Sequence, residues 1–183
     1  MGKLQTFIYD DYAALDDGKR YELIDGELIE MAPAPNFPHQ ESSFNLSGEF
    51  YIYHKAHPEV GRFASAPVDV ILSPENTLQP DHVFVSASRE HLITERGVEG
   101  GPDLVVEILS RSTEAVDRGR KAQLYYQHDV LEYWLIDPAS RSVELLVRGE
   151  SAFTLKAKLD ESGTIISDLL PGFELLVKRL FER

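Results

Sequence analysis

GPDLVVEILSRSTEAVDRGRKAQLYYQHDVLEYWLIDP, residues 101–138, is the stretch whose reading decides the fold. An apolar run at 104–109 is interrupted by one carboxylate, Glu107. A polar loop at 110–116 follows, then a helix-like segment at 117–128. A second β-type run at 133–136 ends before the Asp137-Pro138 break. Strand, crossover helix and strand in so short a span make a βαβ unit, which joins parallel strands through a right-handed crossover. Parallel strands are covered on both faces, hence the nearly unbroken hydrophobicity. Glu107 is the anomaly. An ionised carboxylate in such a strand is costly unless a metal ion or another cation compensates it.

Working outward, the 183 residues suit a single domain, 1–183, with a sizeable core. Hydrophobic content of 43% and charged content of 27% are those of an ordinary globular chain. No apolar run approaches the ~20 residues of a membrane helix. The opening MGKLQTFIYDDY lacks the apolar core of a signal peptide, so a cytoplasmic protein is expected. The absence of cysteine excludes disulfides, thiolate zinc sites and cysteine nucleophiles. A formal net charge of −13 argues against a protein that coats nucleic acid by neutralising phosphates. It permits one that gathers carboxylates around divalent cations, or one whose basic surface is local.

The N-terminal half opens with a short helical segment at 9–15. A hairpin follows, YELI and ELIEM around Asp25-Gly26, the two-residue turn that tolerates positive φ at both positions. Pairing across it sets Ile24 opposite Glu27 and Leu23 opposite Leu28. One face then carries Glu22, Ile24, Glu27 and Ile29. Glu22 and Glu27 read first as solvated hairpin residues and second as carboxylates lining a neighbouring site. The loop at 32–36, with Pro33 and Pro35, leads into a helix marked by Leu46, Phe50 and Tyr53 and ended by Pro58. His39 stands at its start, either as a surface histidine or facing a cleft. His54 and His57 read as helix-end residues with favourable dipole placement ahead of a metal pair. Beyond lie β-type runs at 62–64, 68–72 and 81–85, the last two separated by the loop SPENTLQP, then a short polar helix or loop at 86–100. Runs at 142–147 and 153–159 extend the sheet in antiparallel fashion. The tail ISDLLPGFELLVKRLFER predicts a proline stop and a short amphipathic helix packed across the sheet.

Several chemistries fall away. The chain has no Gly-rich phosphate loop, no Gly-x-Ser-x-Gly elbow and no His-Glu-x-x-His helix. Period-2 alternation puts Asp103, Val105, Glu107 and Leu109 on one face, and Asp81 on a face with Val83 and Val85. If these strands are neighbours, Asp81 and Glu107 converge on one cation, and carboxylate oxygens with retained waters are what Mg²⁺ prefers. Lys121 shares i, i+3 and i+4 spacing with Leu124 and Tyr125, which puts it on the inward stripe of the helix. The other reading is an exposed Asp117–Lys121 i,i+4 pair. Spacing alone does not choose between them.

Pro80-Asp81, GPDLVVEILS at 101–110, Asp117, Lys121, Tyr125 and EYWLIDP at 132–138, together with the hairpin YELIDGELIEM and His39, resemble the Uma-type restriction endonuclease family of the PD-(D/E)xK nuclease superfamily. The resemblance runs over nearly the whole chain. It implies an α/β, restriction-endonuclease-like fold: a mixed central sheet flanked by helices, with an N-terminal hairpin and an antiparallel C-terminal extension. It matches Asp81 to the acid of the Pro-Asp motif and Glu107 to the acid of the second motif. Two residues after Glu107, where the superfamily places lysine, this chain has Leu109, and the resemblance assigns the amine to Lys121 instead. The implied activity is hydrolysis of DNA phosphodiester bonds, on duplex DNA, with Mg²⁺ or Mn²⁺ held by Asp81 and Glu107. Lys121 would orient water or stabilise phosphoryl charge, with Glu27 as an accessory outer ligand and His39 as an accessory phosphate contact or proton carrier. Arg111, Arg118, Arg120 and Lys121 would meet DNA locally, partly offset by Glu114 and Asp117. Cutting both strands favours a homodimer, with Phe173, Leu176, Leu180 and Phe181 forming its interface or packing on their own sheet. Two alternatives stand beside this reading: a nuclease-fold interaction module without catalysis, which Leu109 and the acidic balance favour, and a metal-dependent hydrolase of smaller phosphoesters.

Overall fold

The computed structural model describes residues 6–32 and 34–182. In chain order its elements are α1 (Tyr9–Ala13), β1 (Tyr21–Ile24), β2 (Glu27–Glu30), α2 (Phe37–Ala56), β3 (Gly61–Ser65), β4 (Val70–Ser73), β5 (Asn76–Leu78), β6 (His82–Ser86), β7 (Ile93–Thr94), β8 (Gly97–Glu99) and β9 (Leu104–Ile108). A helical stretch follows: α3 (Glu114–Val116), a π-turn over Asp117–Lys121, and α4 (Ala122–Gln127). Five strands complete the chain: β10 (Glu132–Asp137), β11 (Ser142–Arg148), β12 (Phe153–Leu159), β13 (Thr164–Ile166) and β14 (Glu174–Leu176).

The central sheet has the order β12-β11-β10-β9-β6-β3. Only β9 and β10 run parallel, with Glu107 opposite Leu135, and they are the two strands of the βαβ unit. Their neighbours are antiparallel, so the sheet is mixed and the C-terminal strands extend it as a meander. Alternation along β9 sorts the core. Leu104, Val106 and Ile108 join Leu46, Phe50 and Tyr53 of α2 and the C-terminal segment on one face. Val105 and Leu109 join Val83, Val85, Leu124, Tyr125 and Ile24 on the other.

The hairpin has its expected register, Ile24 against Glu27 and Leu23 against Leu28, and Asp25 and Gly26 take φ of 52° and 74°. It is the edge of a second sheet, β2-β1-β5-β4-β8-β7, which with α4 covers the face of the central sheet that carries Glu107. Two segments read as loops contribute strands to it. SPENTLQP contains β5, which bridges β1 and β4. Its polar letters hide it: the Asn76 side chain accepts a hydrogen bond from the Asp25 N–H at 2.8 Å, and Thr77 and Leu78 are buried. Residues 86–100 form a 3-10 helix over Ala87–Leu92 and then the small hairpin β7–β8, with β8 parallel to β4.

The tail also differs from the expected amphipathic helix. It forms the two-stranded sheet β13–β14 and a 3-10 turn over Val177–Leu180. Phe173, Leu180 and Phe181 are buried against α2 and the central sheet, which withdraws them from any intermolecular surface. Pro171-Gly172 keeps a helix from running through the segment 165–181, and the residues beyond pair with β13 as a strand instead. No helix among the described residues is long and apolar enough to cross a membrane.

Candidate active site

Strand pairing brings the two motif acids together. β6 runs antiparallel to β9 with His82 opposite Val106, so Asp81, one residue before β6, arrives beside Glu107. The Ile108 N–H donates to Asp81 Oδ2 at 2.7 Å, fixing that side chain across the end of the strand. Glu107 is 4% exposed. Its Oε1 accepts from the Tyr125 hydroxyl at 2.9 Å and lies 3.2 Å from Lys121 Nζ. Burial pushes the Glu107 carboxyl well above the usual range, against the pull of Lys121, and the nearby Asp117, Asp81 and Glu22 push the same way.

Both readings of Lys121 are partly realised. The side chain is on the inward stripe, 5% exposed, and it is also paired with Asp117 at i,i+4. That pair is not a surface pair, since Asp117 is itself buried. Nζ lies 2.9 Å from Glu22 Oε1, 3.2 Å from Glu107 Oε1 and 3.2 Å from Asp117 Oδ1. Desolvation works against its charge, but the three carboxylates outweigh that and hold the ammonium well above its ordinary range. Burial likewise raises Asp117. The π-turn at Asp117–Lys121 is a widened turn of the kind that recurs at functional sites, and here it aims both ends of the pair inward.

Glu22 is the residue the sequence reading underrated. It is 6% exposed, and its Oε1 also accepts the Gln79 N–H at 3.0 Å. It shares its face of the hairpin with Ile24, which has no exposed surface. Helical spacing marks Tyr125 by position alone, but its hydroxyl belongs to the site: burial and the adjacent Glu107 raise its pKa, keeping it a hydrogen-bond donor. Glu27 lies elsewhere. It is largely exposed and paired with Arg120 at 3.3 Å. His39 sits in the first turn of α2, where Asn36 caps the helix by accepting the His39 N–H at 3.1 Å. Its Nε2 is 3.3 Å from Asp81 Oδ2, and among the described residues its buried Nδ1 has no partner.

The expected basic cluster is mostly neutralised. Arg118 bonds Glu114 at 2.8 Å and Glu144 at 2.6 Å, Arg120 reaches Asp25 at 3.2 Å as well as Glu27, and Lys121 points inward. Arg111 alone of the four is an exposed residue without an ion pair among the described residues.

The donor set fits a hard divalent cation. Asp81 and Glu107 offer oxygen only, and one ammonium stands among the carboxylates of Glu22, Glu107 and Asp117, so the site carries an excess of negative charge. A cation beside Asp81 and Glu107 would offset the burial that chiefly lifts Glu107 and the repulsion from Asp117, Asp81 and Glu22 that adds to it. Among the described residues no group of three or more His, Asp or Glu side chains is arranged to hold a metal alone. Water would complete the shell, as Mg²⁺ ordinarily retains.

A family model described as "Uma2: Putative restriction endonuclease" matches residues 9–178. No curated protein matches the chain. Among solved structures, one described as a "putative nuclease belonging to DUF820" from Anabaena variabilis superposes with a TM-score of 0.78 over 96% of this chain and 97% of that one. At 19% identity that likeness concerns the fold. A family match from α1 to the last 3-10 turn, on a nuclease-like fold that seats its motif acids side by side, makes this chain a member of the Uma2 restriction-endonuclease family.

Proposed function

We propose that the chain is a Mg²⁺- or Mn²⁺-dependent endonuclease that hydrolyses phosphodiester bonds of duplex DNA. The observation that carries this reading is the Lys121 ammonium 3.2 Å from Glu107, whose strand neighbour holds Asp81 in place through the Ile108 N–H. The amine that Leu109 cannot supply thus reaches the acids from the helix.

Held by Asp81 and Glu107, the cation would supply Lewis-acid polarisation of the scissile phosphate and a lowered pKa for water. Lys121 keeps its proton in this setting and is placed to orient a nucleophile or to offset charge developing on phosphoryl oxygens. Tyr125 and Lys121 both engage Glu107 Oε1, which fixes the carboxylate plane. Glu22, and not Glu27, is the accessory carboxylate of this reading, acting through the Lys121 ammonium. His39 borders Asp81 and serves as phosphate contact or proton carrier. A cytoplasmic homodimer fits an enzyme that cuts both strands.

The experiment is nicking and linearisation of supercoiled plasmid with Mg²⁺, Mn²⁺ or chelator. Metal-dependent cleavage by the wild type, lost in Glu107→Gln and Asp81→Asn, is the expected result. One observation favours a second reading, a nuclease fold without catalysis: Lys121 is already satisfied by three carboxylates, and Arg118 and Arg120 by others. Absence of cleavage together with absence of metal-induced stabilisation would establish it. Turnover of a model diester without DNA cleavage would point to a smaller phosphoester.

A further inference from the structure

Helix α2 buries His39, Ser42, Leu46, Phe50 and Tyr53, and its opposite face is apolar as well. Phe37 and Phe44 are each 78% exposed, Tyr51 65% and Ile52 62%. At 100° per residue, Phe37, Phe44, Gly48, Tyr51 and Ile52 fall within one arc about 100° wide, the width of a stripe that ordinarily faces a core. Large aromatics in such a contiguous row mark an interaction surface.

The order of residues in the stripe says what covers it. Gly48 is exposed near its centre, and a Cβ built there would meet nothing within 4 Å. Four residues to either side stand Phe44 and Ile52. Seven residues to either side, about 10.5 Å along the axis, stand Glu41 and Lys55. A stripe with an acid at one end, a base at the other and equal spacing from a central glycine is complementary to itself when reversed. We propose that α2 is a homodimer interface, in which two copies pack their α2 helices antiparallel about a two-fold axis at Gly48. Phe44 then packs against Ile52 of the partner subunit, and Glu41 meets Lys55 of the partner subunit, each contact occurring twice. Glycine at the crossing lets the two backbones approach closely. One helix face of this length lies toward the small end of specific interfaces, so association is expected to be reversible and visible in a micromolar series. The inference deepens the homodimer of the proposed function by naming its surface, and it does not depend on the nuclease activity, which the plasmid assay tests separately.

Sedimentation velocity over a concentration series tests it, with circular dichroism to confirm folding. The wild type should dimerise, and Phe44→Asp, at an exposed position, should raise the dissociation constant at least about tenfold. Glu41→Lys and Lys55→Glu should each weaken the dimer, and the double exchange should restore it. Because the chain has no cysteine, Gly48→Cys should oxidise to a disulfide-linked dimer while the equally accessible Lys55→Cys should not. A monomer at every concentration overturns the proposal. So does a dimer that Phe44→Asp leaves intact, that the charge exchange fails to restore, or that Gly48→Cys fails to lock.

Discussion

From the sequence, loss of Lys121 reads as a lesion of catalysis. The structure makes it a lesion of stability as well. Lys121→Met keeps much of the side-chain volume but leaves the buried Glu22, Glu107 and Asp117 around no cation. Removing one partner of a buried ion pair costs about 3–5 kcal/mol. The cluster can limit that cost by taking up a proton. Holding a carboxyl with an ordinary value of 4.5 protonated at pH 7 costs about 3.4 kcal/mol, which falls within that range. For a chain of this size the midpoint of thermal unfolding should fall by roughly 10 °C. The pH dependence follows from the sign. Glu107 already titrates above its unfolded value, so its ionisation removes stability as pH rises beyond 4.5, and losing the ammonium steepens that fall. The deficit of Lys121→Met should therefore be larger at pH 8 than at pH 5. Urea unfolding of both proteins at the two pH values measures it. A deficit below about 1 kcal/mol at pH 8, or one that does not shrink at pH 5, would refute the reasoning.

Metal should report on the same cluster: at saturating Mg²⁺ or Mn²⁺ the unfolding midpoint should rise, the added stability reaching about 2.7 kcal/mol at a hundredfold excess over Kd, and Glu107→Gln should abolish the response. Without metal, Glu107→Gln should leave stability at pH 8 unchanged or improved, because it removes a charge that burial disfavours; calorimetry decides this. Tyr125→Phe removes the hydroxyl that donates to Glu107 and should cost about 1–3 kcal/mol, with a larger fractional loss in cleavage than in metal affinity. His82 is fully buried between Ser43 and Ser65, at 3.1 and 3.0 Å, and desolvation lowers its pKa to about 4. Its folded value lies below its unfolded 6.5, so its contribution is complete above pH 6.5 and is lost as pH falls toward 4; His82→Gln should flatten that part of the acid unfolding curve.

The fold was legible wherever local chemistry and tertiary role agree. Asp25-Gly26 has a turn geometry that almost fixes the hairpin register, and the apolar runs of β9 and β10 announce a doubly covered pair. The unread strands are those whose side chains serve neighbours instead of a pattern. β5 presents Asn76-Thr77-Leu78, and only the partner strands β1 and β4 on either side give it an extended conformation. The tail has the apolar count of an amphipathic helix, but Pro171 and Gly172 divide it, and two short strands bury the same residues.

The site shows a different limit. Glu107 stands out in sequence because it is a charge placed where the periodicity calls for an apolar group; Asp81, which alone reads as a turn residue after Pro80, and Lys121, whose spacing leaves two readings open, are singled out by the family resemblance. Glu22 and Asp117 sit where charge is ordinary, on a hairpin and in the first turn of a helix, and nothing local distinguishes them from solvated residues. What buries them is the second sheet closing over β9, a long-range event assembled partly from the strands that were unread. The same closure explains the arginines. Arg118 and Arg120 flank Lys121 and project outward, where acids of β11 and of the hairpin meet them, so a basic run in sequence becomes a neutral rim in space. With its own arginines compensated and a formal charge of −13, the chain has little unpaired positive surface beside the acids with which to hold a polyanion. Under the proposed function, recognition of duplex DNA would draw on Arg111, on a cation held by the acids, or on breaking the rim pairs in exchange for phosphate. Exchange of this kind is testable by salt: few net phosphate contacts predict a shallow dependence of binding on ionic strength, whereas release of Arg118 and Arg120 to phosphate would steepen it, and Glu144→Gln would steepen it further.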